Sequence, residues 1–342
     1  MRGLVAQLRS IGGWTLPILG FELVAMVALL TLALDIYAHK RVEMVGGLNV
    51  WGYRGPVAHH RQPHETRVVI VGGTRAFGWG QPASALASEI RRLIMLTTDR
   101  RGAELRPVVV INLGRLGALP DSYSKTIEHF AYLEPDYICL FDDLGVPGAA
   151  STEPTSALFE LTGYAPALPL VLREKGMIWR FGDVKRGYAS PASRNGAPPS
   201  LLGRAAGSIC EGTGRGLDGV DRLAARMLPS GNRNAAPRDG AAVDYADAMM
   251  TAVDAAHLHT RGVIVVLSPS ETPEQARNLR ALQIRLNSEN PAPPWLLVVD
   301  LGSEAELYDQ SLRLDGWNYS AAGIAAVAAR IAPALLTFIA NL

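Results

Sequence analysis

The chain has 342 residues, of which 48 % are hydrophobic and only 19 % are charged. This composition excludes a disordered acidic or basic protein and a collagen-like chain, and the length suits one large α/β domain with additions. The 33 basic and 32 acidic side chains nearly cancel, so no basic field indicates a nucleic acid partner.

Residues 14–34 form an apolar run near the N-terminus. A bilayer span takes about 20 apolar residues, and this run is long enough. Its one charge, Glu22, costs about 2.5–3.5 kcal/mol at mid-membrane, which the surrounding Leu, Ile, Val and Phe residues offset. A cleaved signal peptide has a shorter core, of about 7–15 residues, and a small-x-small cleavage site that this sequence lacks. We therefore predict residues 1–13 as a short tail and 14–34 as an uncleaved single-pass membrane anchor.

The orientation of this anchor stays open, because Arg2 and Arg9 precede the run and Lys40 and Arg41 follow it. Glu22 has two interpretations. It either snorkels or is protonated, or it pairs with a polar group on the membrane helix of a partner protein. Residues 35–65 are predicted to link the anchor to the folded domain.

Five nearly continuous apolar runs follow, each typical of a strand buried on both faces: 67–71, 107–112, 136–141, 262–267 and 295–300. Helical patterns lie between or after them, over about 82–98, 121–133, 241–259, 272–288 and 319–341. This alternation predicts a three-layer α/β/α domain over residues 66–342, with a doubly wound, five-stranded parallel sheet. The last helix is apolar, but Arg330 and Pro333 inside it favour a packed helix over a second membrane span.

An insertion over residues 147–240 interrupts the alternation. Within it, residues 155–182 interleave apolar, aromatic and basic side chains, which suits either a helix or hairpin at a membrane interface or an ordinary packed helix. Residues 183–240 are rich in Gly, Ser, Pro, Ala and Arg and predict a flexible segment with one short helix near 217–228. The insertion is also a candidate surface for a partner protein.

The two cysteines, Cys139 and Cys210, are too few for a disulfide framework or a Cys-rich zinc site. Cys139 lies in the third predicted strand, which favours a buried free thiol, although a disulfide between the two stays open. His60 and His64 have the i, i+4 spacing of metal ligands, but Pro63 opposes a helix there. We therefore predict no metal site, and nothing in the sequence indicates a cofactor.

The residues with chemical potential follow the predicted strands. After the first strand the sequence is VVIVGGTRAFGWG, over residues 68–80. A strand that ends in Gly-Gly-Thr and turns into a helix predicts Thr74 at the carboxyl end of the strand, beside a helix N-terminus that stabilises an anion. The second strand ends in NLGRLG (112–117), the third in FDDLGV (141–146), and residues 315–318 are DGWN.

These four blocks, in this order, resemble the SGNH (GDSL-type) hydrolase family, particularly its membrane-anchored bacterial members. The resemblance implies that Thr74 occupies the position of the serine nucleophile, and that Asp315 and Asn318 occupy the Asp and His positions of the triad. It implies oxyanion-hole positions at Thr74, Gly117 and Gly145. The remaining candidates for the cleft are Gly73, Arg75, Asn112, Asp142, Asp143 and Trp317.

Three of these positions depart from the family pattern: Thr74 replaces serine, Gly145 replaces asparagine and Asn318 replaces histidine. An amide does not accept a proton near neutral pH, so Asn318 cannot act as the base. Loss of a triad base costs about a million-fold in turnover, and the missing Asn side chain removes an oxyanion donor worth about 3–4 kcal/mol.

None of the seven histidines follows residue 259, so none adjoins the last block. His129 is expected to face solvent or a partner. His59, His60 and His64 belong to the linker and would have to fold over the site to replace the missing base.

Two functions therefore follow from the sequence. The first is a catalytically silent binding or structural subunit, held at the membrane by residues 14–34. The alternative is an active esterase or O-acyltransferase that acts on a cell-envelope glycan or lipid with Thr74 as nucleophile. The resemblance further implies that the domain lies outside the cytoplasm, in the periplasm or at the cell exterior.

Overall fold

The computed structural model describes residues 2–42, 48–78, 85–101, 107–115, 118–141, 159, 162–182, 200–227, 244–288, 293–314 and 318–341. By its internal contacts the chain divides into two compact units. The anchor unit comprises Met1–Arg41 and Pro166–Leu223, and the sheet unit comprises Val42–Ala165 and Ala224–Leu342.

The sheet unit contains five parallel strands in the order β2-β1-β3-β4-β5. They are β1 Thr66–Gly72, β2 Val108–Asn112, β3 Tyr137–Phe141, β4 Gly262–Leu267 and β5 Leu296–Asp300. Every residue of β1, β3 and β4 is buried, as expected for strands that are apolar on both faces. The strand order is that of doubly wound, flavodoxin-like sheets, so the predicted fold class is confirmed.

The helices of the described residues alternate with these strands. They are α1 Arg2–Val42, α2 Thr74–Phe77, α3 Ala85–Arg101, α4 Pro120–His129, α5 Leu168–Phe181, α6 Leu201–Met227, α7 Tyr245–His259, α8 Pro273–Leu286 and α9 Ala321–Asn341. Helices α4, α7 and α8 pack on one face of the sheet, and α3 and α9 pack on the other. Alternate side chains of β1 enter the two cores: Val69 and Val71 face the first, and Val68 and Ile70 face the second.

Helix α9 is apolar and long enough to cross a membrane, but half of its most apolar stretch is buried. Its residues Ile324, Val327 and Ile331 enter the second core. The helix is therefore packed on the sheet, as predicted. Cys139 is buried in β3 and both cysteines are free thiols, so the open possibility of a disulfide is removed.

The predicted linker is more ordered than the sequence indicated. Helix α1 continues through residue 42, so the predicted tail and the start of the linker are helical. Residues after the apolar run, such as Ala38 and Lys40, are good helix formers, which explains the continuation. Residues 48–65 pack on the sheet unit: Tyr53 is buried with its ring edge against Phe130, and the Arg54 backbone N–H donates to the Asn112 carbonyl at 2.9 Å.

In the anchor unit, α1 contains a candidate membrane span, Pro17–Arg41, whose apolar side chains are exposed. Just beyond the apolar run, the Asp35 carboxylate caps helix α5. Its Oδ1 accepts hydrogen bonds from the backbone N–H groups of Ala167 (2.9 Å) and Leu168 (2.5 Å). These N–H groups lack partners within a helix, and a carboxylate suits the positive end of the helix dipole. The capping bond therefore joins α5 to α1.

The prediction of a flexible segment over residues 183–240 is wrong for α6, a helix from Leu201 to Met227. Its six glycines disfavour a helix by about 1 kcal/mol each, which is why the sequence indicated disorder. Two of them lie where α6 meets α5. A Cβ on Gly207 would come within 2.7 Å of the Gly176 carbonyl, and a Cβ on Gly214 within 2.6 Å of the Pro169 carbonyl. Glycine thus lets the two antiparallel helices approach closely.

We predict that Gly214→Ala separates helices α5 and α6, because overpacking a close contact costs about 1–3 kcal/mol. Gly212→Ala is the matched control. A Cβ on Gly212 would meet no atom within 4 Å, so the change only adds about 0.8–1.0 kcal/mol of helix propensity. Amide hydrogen exchange of the full chain in nanodiscs would give lower protection of α5 and α6 for Gly214→Ala and higher protection for Gly212→Ala. Equal gains in both variants would contradict the packing described.

Candidate functional site

Thr74 lies at the carboxyl end of β1, as the first residue of the single-turn helix α2. It is buried, and Gly73 precedes it as the N-cap. The turn from β1 requires glycine at position 72, because a Cβ there would come within 2.7 Å of the Phe141 carbonyl and the Ala76 Cβ. The sequence block Gly72-Gly73-Thr74 thus forms a sharp strand-to-helix turn at the edge of the sheet where sites of this fold class occur.

Asn112, a cleft candidate, joins the end of β2 to α2. Its Nδ2 donates to the Ala76 carbonyl at 2.8 Å, and its Oδ1 accepts from the Gly114 N–H at 2.8 Å. Position 114 tolerates no side chain, since a Cβ would lie 2.5 Å from the Phe77 nitrogen. Both polar ends of the buried Asn112 amide are therefore used to hold the turn, which makes it a positioning residue for Thr74.

Arg75, the second cleft candidate on α2, is fully buried and forms an ion pair. Its Nη2 donates to Glu271 Oε1 at 2.8 Å, and its Nη1 donates to the Pro269 carbonyl at 3.0 Å. The same Glu271 oxygen lies 3.0 Å from Nη1 of Arg313, whose side chain is also buried. We call these three side chains the Arg75–Glu271–Arg313 cluster.

The cluster joins three segments that are distant in the sequence: the turn after β1, the loop after β4 and the loop before α9. Arg313 is held further by a hydrogen bond to the Leu307 carbonyl (3.0 Å) and by its position over the Tyr319 ring, 4.5 Å from the centroid. A buried guanidinium stays charged and is stable only when it is paired and hydrogen-bonded. Glu271 supplies the negative charge for both arginines, so its Oε1 is committed to them.

Asn318, which the sequence resemblance predicts at the histidine position, lies in the loop that begins at Arg313. It is buried, and its backbone carbonyl accepts a hydrogen bond from the Leu314 N–H at 2.7 Å. Of the other predicted site residues, Gly117, Gly145, Asp142, Asp143, Asp315 and Trp317 lie outside the described residues. The nucleophile, triad and oxyanion roles assigned to these positions therefore stay predictions.

The histidines of the sheet unit lie on the far side from Thr74. His59 Nε2 is 2.9 Å from Glu65 Oε2, at the amino end of β1, and His257 stacks on Trp295 just before β5. The seven residues of β1, at about 3.3 Å per residue, place its two ends roughly 20 Å apart. The idea that a linker histidine folds over Thr74 is therefore wrong, because residues 59–65, which contain the three linker histidines, pack at the amino end of β1.

A cavity of about 700 Å³ lies at that opposite edge, between residues 51–61 and the end of α4. Aromatic and imidazole rings line it, among them Trp51, Tyr53, His129 and Tyr132. Burial, and then the charge of Arg115, lowers the pKa of His129, while burial and Tyr53 raise the pKa of Tyr132 to about 12. Both rings are therefore neutral at pH 7. His129 packs against Phe130 and Phe159, which corrects the expectation that it faces solvent or a partner.

Sequence reasoning missed Glu271 and Arg313. The helical pattern predicted over about 272–288 begins just after Glu271, and in the structure α8 begins at Pro273 with Thr272 as its N-cap. Thr272 and Gln275 form a Thr-x-x-Gln capping box, a sequence signal that fixes the helix start and leaves Glu271 in the preceding loop. Glu274 lies in the first turn of α8. Among the described residues, no three His, Cys, Asp or Glu side chains are grouped as a metal site.

No protein-family profile matches the chain, and no curated protein matches it. Three solved structures are similar to it. A protein described as lipolytic and of the G-D-S-L family from Desulfitobacterium hafniense is 12% identical, with a TM-score of 0.39, over 79% of this chain and 99% of its own. A variant of the acetylxylan esterase Axe2 from Geobacillus stearothermophilus is 12% identical, with a TM-score of 0.38, over 80% of this chain and 94% of its own.

The third is LAE5, an alpha/beta hydrolase from the metagenome of Lake Arreo, Spain, which is 14% identical with a TM-score of 0.34. It aligns over 81% of this chain and 96% of its own. The first two are hydrolases of the type that the four sequence blocks resemble. Similarity at this level assigns no reaction to this chain, so its function has to be argued from its own residues.

We predict that Glu271→Gln lowers the free energy of unfolding by about 3 kcal/mol, because it removes the carboxylate charge that pairs with two buried guanidinium groups. Glu274→Gln, three residues away on the exposed first turn of α8, should change it by less than about 0.5 kcal/mol. Chemical denaturation of the full chain in mild detergent measures both. Equal, small effects would show that the cluster does not stabilise the site.

Proposed function

We propose that this chain is a membrane-anchored protein whose hydrolase-like sheet unit binds or holds a partner molecule and does not catalyse hydrolysis. The observation that carries the proposal is the Arg75–Glu271–Arg313 cluster. It occupies the edge of the sheet where a hydrolase of this type keeps its base and its open cleft. The anchor is the candidate span in α1, which we take to be retained after synthesis.

A threonine hydroxyl becomes a nucleophile only when a neighbouring base takes its proton. In the described parts of residues 73–78, 268–272 and 313–320, which hold the cluster, Glu271 is the only carboxylate or imidazole. Its Oε1 is shared by two guanidinium groups, Asn318 offers only an amide, and the histidines of the sheet unit lie at the opposite edge. These facts support a silent site at Thr74.

The cavity beside His129 and Tyr132 supports a binding role. Its volume is in the range of small-molecule sites, and its lining combines neutral rings with polar groups. The two arginines that reach it are already paired, Arg61 with Asp136 and Arg67 with Glu65, so the cavity favours a neutral ligand over a strongly charged one. On the resemblance stated above, we place the sheet unit outside the cytoplasm.

The alternative is an active esterase or O-acyltransferase with Thr74 as nucleophile. The position of Thr74 favours it, since the residue directly follows β1 and begins α2 at the edge where this fold class places its sites. Such an enzyme would need a base from residues 142–158 or 315–317, where Asp142, Asp143, Glu153 and Asp315 are the carboxylates.

Fluorophosphonate labelling of the full chain in detergent separates the two functions. We expect the wild type and Thr74→Ala to give the same background labelling, because Glu271 is engaged by two arginines and Asn318 offers only an amide. Thr251→Ala, an exposed threonine on α7, controls for the loss of a hydroxyl elsewhere. Labelling that disappears in Thr74→Ala and persists in Thr251→Ala would establish an activated Thr74 and refute the silent site.

A variant that carries the family's residues tests whether the cleft beside Thr74 is still open to an ester substrate. We expect the triple variant Thr74→Ser, Gly145→Asn and Asn318→His to hydrolyse p-nitrophenyl acetate about tenfold or more above background, because it regains nucleophile, oxyanion donor and base together. The control carries Thr74→Ala with the other two changes and should stay at background. A folded triple variant without activity would contradict this prediction and indicate a closed cleft.

A further inference from the structure

Helix α6 exposes an apolar stripe, with large side chains at both ends and small residues between Ile209 and Val220. Leu202, Ile209 and Val220 are 84 %, 70 % and 66 % exposed, and Leu201 and Leu223 are exposed beside them. At 100° per residue these five side chains fall within about a third of the helix circumference. An exposed apolar patch of this kind indicates a surface that binds another molecule or a membrane, because the contact of apolar side chains with water is unfavourable.

The opposite side of α6 is polar and faces α5. Gly207 and Gly214 form the close contact there, Glu211 pairs with Arg180, and Asp218 lies 3.2 Å from Arg173. The helix thus separates an exposed apolar side from a charged side that is used inside the anchor unit. Its sequence has four arginines against three acidic residues, so the charge of the helix nearly cancels.

Within the anchor unit, hydrogen bonds and helix packing connect this stripe to the end of the apolar run 14–34. Asp35, the first residue after the apolar run 14–34, caps α5, and α5 packs against α6. Tyr37 is exposed at the same level, and Arg41 donates to its hydroxyl at 3.0 Å. Exposed tyrosine and basic side chains at the end of an apolar helix are typical of the boundary between hydrocarbon and water.

We propose that α6 lies in the membrane–water interface, with its apolar stripe buried in the bilayer that α1 enters. A lipid surface is the occupant that fits, because the stripe belongs to the same compact unit as the exposed span and is joined to it at the boundary residue. A long amphipathic helix of low overall hydrophobicity is the form that such interfacial helices take. Because the helix charge nearly cancels, apolar burial supplies the binding, and anionic lipid is not required. The inference depends on a retained anchor and is independent of whether Thr74 is active.

Fluorescence quenching of the full chain in phosphatidylcholine vesicles tests this placement. In a Cys210→Ser background, single cysteines at Ile209→Cys and Val220→Cys carry an environment-sensitive nitrobenzoxadiazole label. The remaining Cys139 does not react, since it is buried and burial raises the pKa of its thiol to about 12. Arg204→Cys is the control: it is exposed, and at 100° per residue it lies 140° from Ile209 and at least 60° from each of the five stripe residues.

We expect aqueous iodide to quench the label at 204 at least about threefold more than the labels at 209 and 220, which interfacial burial of about 5–10 Å would shield. Lipids with a nitroxide near the headgroup should quench 209 and 220 more than 204, with or without phosphatidylserine. Equal iodide quenching at all three positions would overturn the proposal. Protection of 209 and 220 from iodide without quenching by nitroxide lipid would also overturn it, because protein would then cover the stripe.

Discussion

Arg75 brings a full positive charge into the interior at the carboxyl edge of the sheet, and the arrangement of that edge depends on how the charge is neutralised. A buried guanidinium cannot release its proton, so the structure must supply a carboxylate and carbonyl oxygens around it. Glu271 and the Pro269 carbonyl come from the loop after β4, and Arg313 fixes the loop before α9 to the same carboxylate. One ion cluster therefore determines the relative positions of three loops.

The same cluster limits the chemistry of the site. Hydrolysis by a hydroxyl nucleophile needs a side chain that changes its protonation state during the reaction. Glu271 Oε1 accepts a hydrogen bond from one buried guanidinium and is ion-paired with a second, so these contacts occupy the oxygen that would have to take a proton. The cluster therefore favours the proposed silent site over the alternative enzyme. On that proposal this edge is a structural junction, and the ring-lined cavity is the better place for a ligand.

Much of the fold could be predicted from the sequence, because buried parallel strands leave continuous apolar runs. The predicted strand 262–267 matches β4 residue for residue. Two features were not predictable from local patterns. Helix α6 has a glycine content typical of a loop, and only its partner α5 explains why glycine is needed at Gly207 and Gly214. Arg75 and Glu271 are almost 200 residues apart, and no spacing rule connects two charges that meet only after folding.

The two units share one type of stabilising interaction. In each, a buried charged side chain reaches across to another segment and satisfies backbone groups there: Arg75 binds the Pro269 carbonyl, and Asp35 binds the N–H groups at the start of α5. Such bonds are directional, so each fixes a position and an orientation that apolar packing alone leaves loose. At Asp35 the consequence is a fixed position for two helices. The capped end of α5 is held at the end of the apolar run, and α6, which packs against α5, is held there with it, as the proposed contact of its apolar stripe with lipid requires.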